Sequence, residues 1–369
     1  MAFFGQSKGL LRKSRRQVTA KIAIFGLGDL GRRLLARLCS ELIACELLIC
    51  GRLRPSVVEI IQREHRTHSS IRFISIDLTN VSRVEELLRK EMPHLVVQCA
   101  SLLSPWHLHE NPSRVSNLLI GAGFAAQLSA QLVIPYSVMT AARAVDFRGH
   151  IVNCSFPDAV NTILGRIGLA PTIGIGNVAM IEHRVLAAMS EGERLTYKFA
   201  RVLAHHSQVA PSMKSTAPAD RNSWPRIFLG EDGIPSDEHA YRSPPLMLNR
   251  DLNSLTCQSA IPLLASLLPE GSELRTSAPG PFGLPGGYPI HVKDQKIELD
   301  LPPGWNIHEA TRLQRMAARM DGIEEITSDG TVCYTADAAS TLRLVDPALA
   351  EPLAPDQAQC RFARLTACI

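Results

Sequence analysis

The chain has 369 residues, 46% hydrophobic and 20% charged, with 24 glycines and 24 prolines. That composition excludes a disordered, fibrous or low-complexity protein and leaves room for about two domains with separate cores, at roughly 100–200 residues each. Lysine and arginine total 39 against 35 acidic residues, and aromatics make up 5%; so small a positive excess suits anionic small molecules better than a nucleic-acid groove, and so few aromatics argue against a base-stacking platform.

The nine cysteines are odd in number, contain no C-x-x-C pair and mostly lie in apolar runs. They read as reduced thiols of a cytoplasmic protein, with no structural zinc. Residues 1–20 carry Lys8, Arg12, Lys13, Arg15 and Arg16 without the apolar stretch of a signal peptide, which predicts a solvated, mobile basic arm.

A β-branched run at 21–25 (KIAIF) leads into Gly26-Leu27-Gly28-Asp29-Leu30-Gly31, after which 32–42 has helical apolar spacing at Leu34, Leu35, Leu38 and Leu42. Strand, glycine turn and helix in that order form the context in which G-x-G-x-x-G binds a dinucleotide. Gly26 permits the tight turn, Gly28 lets a pyrophosphate approach the backbone, and Gly31 lets the helix pack on the strand. Asp29 and Leu30, within the turn, are candidate cofactor contacts, and the N-terminus of the helix that follows offers free N–H groups to the phosphates.

The next strand, 46–50, ends on Gly51-Arg52-Leu53-Arg54 where such folds usually place a carboxylate for the ribose 2′-hydroxyl. Arg52 and Arg54 match a 2′-phosphate in charge and fork geometry, so NADP is favoured over NAD; a solvated loop is the alternative for these arginines. A strand at 71–76 runs into Asp77, a candidate for the adenine side of the pocket or equally a helix cap. A helix at 81–91 and a strand at 95–99 follow, the strand ending on Ala100, another candidate cofactor contact. From Val115 to Ala142 no residue is charged. Glutamines, glycines and a proline interrupt that stretch, so a buried or subunit-interface helix is expected there rather than a membrane span.

A fifth strand at 150–154 completes a pattern that predicts an α/β fold: a doubly wound parallel Rossmann sheet over 21–155, with a second α+β domain over 156–369 for substrate and oligomerisation. Asn153, at the end of that strand, is a candidate nicotinamide contact. Asp158 fits a helix cap after Pro157. The loop 101–112, with Trp106, His107 and His109, is expected to close over the pocket.

The segments 153–161 (NCSFPDAVN), 168–178 (GLAPTIGIGNV) and 205–212 (HHSQVAPS), with a hairpin-like stretch at 283–303 and a helix at 307–320, resemble in order the lactate/malate dehydrogenase superfamily. Its members place an Asn-Pro-x-Asp turn, a glycine-bearing strand-to-helix segment with a catalytic aspartate and a substrate arginine, and a histidine loop in this sequence. The resemblance implies an NAD(P)-dependent dehydrogenase. Aligned on the glycines, however, the aspartate position falls on Met180 and the arginine position on His183. The Gly51-Arg52 turn and the acidic end of the third strand are shared with saccharopine-dehydrogenase-like reductases.

Hydride chemistry asks the protein for orientation and one proton donor, and an imidazole titrates in the useful range. The candidates are His205 or His206 in the histidine loop and His183 on the helix after the glycine segment, with Glu182 beside it as a solvated helix residue. Cys154 lacks an arranged base and is not expected to be a nucleophile. Strands are expected at 193–204, 287–301 and 330–334, helices at 177–191, 252–268 and 307–320, and a long loop at 210–246 from which Arg221, Arg226 and Arg242 could meet an anionic substrate. The expectation is hydride transfer between NADP(H) and a carbonyl or imine of a small polar metabolite, in a homodimer or larger homo-oligomer with no nucleic-acid or membrane partner. The alternative is a non-catalytic NAD(P)-binding sensor.

Overall fold

A computed structural model describes residues 20–41, 45–64 and 71–369; the basic arm up to residue 19 and Leu42 lie outside the described residues. Strands apolar on both faces alternate with helices that bury one stripe: β1 (Ala20–Phe25), α1 (Asp29–Glu41), β2 (Cys45–Gly51), α2 (Pro55–Glu64), β3 (Ile71–Ser75), α3 (Val81–Glu91) and β4 (Leu95–Gln98). Three helices, α4 (His107–Glu110), α5 (Arg114–Gly121) and α6 (Leu128–Ala144), separate β4 from β5 (His150–Asn153), and α7 (Pro157–Arg166) leads to β6 (Ile173–Gly174). All six strands are parallel, in the order β3-β2-β1-β4-β5-β6. This is the doubly wound Rossmann order, whose ligand crevice lies at the carboxyl ends of β1 and β4, where the strand order reverses. The sheet does not stop at residue 155, because β6 joins it from beyond.

The uncharged stretch becomes α5 and α6, bent at 118° to one another. Along most of its length α6 is buried in the core that covers one face of the sheet. No single helix among the described residues is long and apolar enough to cross a membrane.

The remaining elements are α8 (Val178–Ala188), α9 (Glu191–Thr196), β7 (Ala200–Leu203), α10 (Val209–Met213), β8 (Arg226–Leu229), β9 (Ile234–Pro235), α11 (Leu252–Ser266), β10 (Leu274–Pro279), β11 (Gly287–Lys293), β12 (Lys296–Leu299), α12 (Ile307–Ala318), β13 (Ile323–Ile326), β14 (Val332–Tyr334), α13 (Ala336–Arg343) and α14 (Ala358–Thr366). They form antiparallel sheets β7-β8-β9 and β10-β11-β12 and the hairpin β13-β14, an α+β unit beside the Rossmann sheet. Two expectations are corrected. The strand expected from Glu193 begins only at Ala200, because Ser190 and Glu193 form a reciprocal capping box that starts α9. The expected loop 210–246 contains β8, which pairs with β7.

The last fifty residues return to the first half of the chain. Ala318, Ile323, Val332, Leu353 and Ala358 join the same core as α6. Backbone contact fixes the approach: a Cβ on Gly123 (φ +94°) would lie 2.5 Å from the Asp321 carbonyl, and one on Gly322 would lie 2.4 Å from the Ala122 oxygen. Only glycines allow these two turns to touch.

Candidate active site

At the head of α1, Gly26 has φ +95° and its missing Cβ would fall 2.7 Å from Ala100, while one on Gly31 would fall 2.1 Å from the Gly26 oxygen. Both glycines are thus required by the turn itself. Gly28 differs, since a Cβ there would meet nothing within 4 Å. Helical hydrogen bonding starts with Arg32 N–H donating to the Gly28 carbonyl, so the preceding amides are the unpaired donors that make a helix N-terminus an anion site.

Gly28, Asp29 and Leu30 open onto a cleft of roughly 330 Å³. Its floor is made by Cys99 and Cys154, which follow the neighbouring strands β4 and β5 and bring their Sγ atoms to 3.4 Å. Burial pushes the Cys154 thiol well above its ordinary pKa. Asp29 accepts hydrogen bonds from Arg33 Nε at 2.9 Å and Asn253 Nδ2 at 2.8 Å.

Arg52 and Arg54 follow β2 and are exposed; like Asp77, they are not among the residues lining the cleft. Asp77 is also exposed and accepts from the Thr79 backbone N–H at 3.0 Å and hydroxyl at 2.8 Å; these bonds, with a contribution from the Arg52 charge, lower its pKa. Arg52 and Asp77 are therefore neighbours across the ends of β2 and β3.

The same cleft as Gly28 is lined by His206. Its Nδ1 lies 2.9 and 3.0 Å from the two oxygens of Asp321, and its backbone N–H donates to Asp158 Oδ1 at 2.9 Å. The ring packs against Phe124 at 4.5 Å and Phe156 at 5.1 Å between centroids. Burial pulls the imidazole pKa down, but Asp321, with Asp158 adding to it, outweighs burial and the net shift is upward. Burial likewise opposes the charged form of Asp321, yet His206 and His205 hold its carboxyl far below the usual range. With Nδ1 engaged by a carboxylate, Nε2 is the ring nitrogen left for a substrate, the arrangement that fixes tautomer and orientation in general acid–base histidines.

The three candidate histidines separate cleanly. His206 is in the cleft. His205 is 1% exposed, with Nδ1 3.2 Å from Asp321, and so buttresses the carboxylate instead of facing a ligand. His183 is half-buried on α8 and does not line the cleft; it is not brought to the site.

Several further expectations are corrected. Asn153 is buried and its amide is fully engaged, donating to the Ser155 carbonyl and to Asn161 Oδ1 and accepting from Ser155 N–H. It shapes the turn after β5 and does not reach the cleft. Ala100 lies beneath Gly26 as a packing contact. Asp158 does not cap α7; it joins α7 to the histidine loop and, through Asn177 Nδ2, to the head of α8. Glu182 is buried, accepts from Thr276 Oγ1 and Ser277 N–H on β10, and is pushed up to about 8 by burial. Arg226 pairs with Asp237, Arg242 pairs with Glu193, and Arg221 stacks on Trp224, so none is held for a substrate.

Asp321 is the residue of the candidate site that sequence reasoning missed. Asp321 sits in a short 3-10 turn (Arg319–Asp321) that closes on Gly322 at φ +88°. The local signal, Asp-Gly after an amphipathic helix, marks a turn and says nothing about a partner 115 residues away.

No family model matches the sequence, and no curated protein matches it. Among solved structures, the chain is similar to MGS-M5, a lactate dehydrogenase from a Medee basin deep-sea metagenome library, at 13% identity over 82% of this chain and 96% of that one, with a TM-score of 0.46. It is similar to the malate dehydrogenase of Picrophilus torridus at 15% identity, over 82% and 97% of the two chains, with a TM-score of 0.48. The Bordetella bronchiseptica enzyme WbmG in complex with NAD matches at 16% identity over 40% and 41%, with a TM-score of 0.26. These likenesses concern the fold, and the chain's own strand order makes its first half a Rossmann domain.

Proposed function

We propose that the protein is an NAD(P)-dependent oxidoreductase, a dehydrogenase or reductase that moves a hydride between a nicotinamide dinucleotide and a carbonyl or imine. The observation that carries this reading is that one cleft contains both an open glycine turn at a helix N-terminus and a histidine whose Nδ1 is held by a buried carboxylate. The dinucleotide, when bound, supplies or accepts the hydride. Gly28, Asp29 and Leu30 would hold its diphosphate, and Arg52 and Arg54 its adenosine end, with NADP(H) preferred because guanidinium forks stand where a carboxylate would select NAD(H).

In the reducing direction His206 gives the proton on Nε2 to the carbonyl oxygen or imine nitrogen, and in the oxidising direction it takes that proton back. Asp321 keeps Nδ1 protonated and stabilises the imidazolium. Asp158 and Asn177 lock the backbone of the histidine loop. The lining near His206 is largely apolar, with Trp106, Phe124, Phe156, Met180 and Val209. It favours a substrate that is polar at its reacting group and apolar along its body, which narrows the expected polar metabolite.

Calorimetry with NADP+ and NAD+ separately, followed by a screen of 2-keto acids, ketones, aldehydes and cyclic imines for consumption of the reduced cofactor, tests the proposal. Binding without turnover of any substrate class would favour the sensor, and absence of binding to either dinucleotide would remove the proposal.

A further inference from the structure

Residues 249–254, where the chain enters α11, lie across the head of α1. Asn253 Nδ2 donates to Asp29 at 2.8 Å, and Asp251 accepts from Arg33 Nη2 at 3.2 Å. The second domain thereby covers the side of the cleft where the glycine turn opens. Arg250, in the same segment, is the only lysine or arginine lining the cleft among the described residues. Its guanidinium makes a two-pronged ion pair with Glu110, the last residue of α4, with Nε to Oε1 at 2.8 Å and Nη2 to Oε2 closer still. Both side chains are about two-fifths exposed, at 41% and 40%, so neither is locked in the core. Asp29 lies close enough for its charge to act on Arg250.

The charges at this mouth are unbalanced for an anionic ligand. Asp29, Asp251 and Glu110 face Arg33 and Arg250, and a diphosphate would add about two more negative charges to a site already short of cations. Arg33 is held by two of those carboxylates. Arg250 has one exposed partner, and that partner presents the same pair of oxygens to the guanidinium fork that a phosphate presents.

We propose that Arg250 binds the dinucleotide's diphosphate from the second domain, and that Glu110 occupies its fork until the phosphate oxygens displace it. This inference rests on the cofactor reading above. Binding then exchanges one ion pair for another, and α4 with the loop after β4 loses its tether to residues 249–254 as the cofactor enters.

The exchange gives two substitutions opposite signs, which a simple structural tether would not. Calorimetric titration of the full chain with NADP+, or with NAD+ if that is the dinucleotide the wild type binds, is expected to show Arg250→Gln about tenfold weaker than wild type, the cost of one charge-assisted contact. Glu110→Gln, which removes the competitor, is expected to bind several-fold tighter, with Arg250→Lys between Arg250→Gln and wild type. Thermal melts of each variant confirm folding. If Arg250→Gln binds as tightly as wild type, or Glu110→Gln weakens binding in parallel with Arg250→Gln, the inference is overturned while the cofactor reading stands. Wild-type protein that binds neither dinucleotide overturns both.

Discussion

His206 and Asp321 are 115 positions apart in the chain and 2.9 Å apart in the fold. The carboxylate reaches the imidazole from a turn in the C-terminal return, whereas alignment on the glycine segment would draw it from position 180, where this chain has a methionine. Replacing His206 by Asn should lower the rate of hydride transfer by about 100-fold or more while dinucleotide affinity is kept, as expected for loss of a general acid–base group. Asp321→Asn should lower kcat in the same direction. Equal turnover in wild type and His206→Asn would remove the histidine from the chemistry.

The pH dependence follows from the same pair. Asp321 is what raises the His206 pKa against burial, so without that charge burial dominates and the pKa falls. Carbonyl reduction needs the protonated imidazole and is lost as pH rises through its pKa; the descending limb of kcat/KM should therefore move to lower pH in Asp321→Asn. For stability, the raised histidine contributes fully below its ordinary pKa, and the contribution is lost as pH rises through the raised one. The lowered aspartate contributes above the usual carboxylate range and loses that contribution in acid. Kinetic pH profiles and melts of both proteins check the two signs.

The three glycines of the turn should answer differently to substitution. Gly28→Ala meets no atom and has no positive φ to strain; its stability should be unchanged or slightly higher, by about 0.4–1 kcal/mol from reduced unfolded-state entropy. Its affinity for a dinucleotide should fall, because the added methyl group would stand where the diphosphate is proposed to lie. Gly31→Ala would drive a methyl into the Gly26 oxygen and should destabilise the fold. A melt and a titration on each variant separate ligand space from packing space.

Glu182 offers a test away from the site. Burial raises its pKa to about 8. Between its ordinary pKa and that value the unfolded chain has released the proton and the folded chain has not, so stability should decline as pH rises through that window. Glu182→Gln keeps a neutral acceptor for Thr276 and Ser277. It should flatten the decline and equal or exceed wild type near pH 8, as urea denaturation across the range would show.

Arg52 should read the cofactor's 2′-phosphate. Arg52→Ala is expected to weaken NADP+ binding by about tenfold, the loss of a charge-assisted bond, with NAD+ little affected. Equal losses for both dinucleotides would place Arg52 elsewhere.

The Rossmann half was largely legible because its signals are local. The helix expected at 81–91 spans Val81–Glu91, and the short apolar runs give β1 to β5 within a residue or so. In the second half the helices α8, α11 and α12 lie within the expected 177–191, 252–268 and 307–320, but elements set by tertiary contact were not legible. Arg226 to Leu229 becomes a strand only by lying on β7. The candidate site divides along the same line: the glycine turn was readable from spacing, and the histidine loop from resemblance. Choosing between His205 and His206 required knowing which ring a distant aspartate leaves facing the cleft.

The C-terminal origin of Asp321 sets a schedule for the protein's biogenesis. On a ribosome the Rossmann strands emerge and can pair while the carboxylate is still unsynthesised, and the His206–Asp321 pair closes only after the turn at Gly322 has docked beside Gly123. A nascent chain would thus complete its glycine turn well before it acquires that pair.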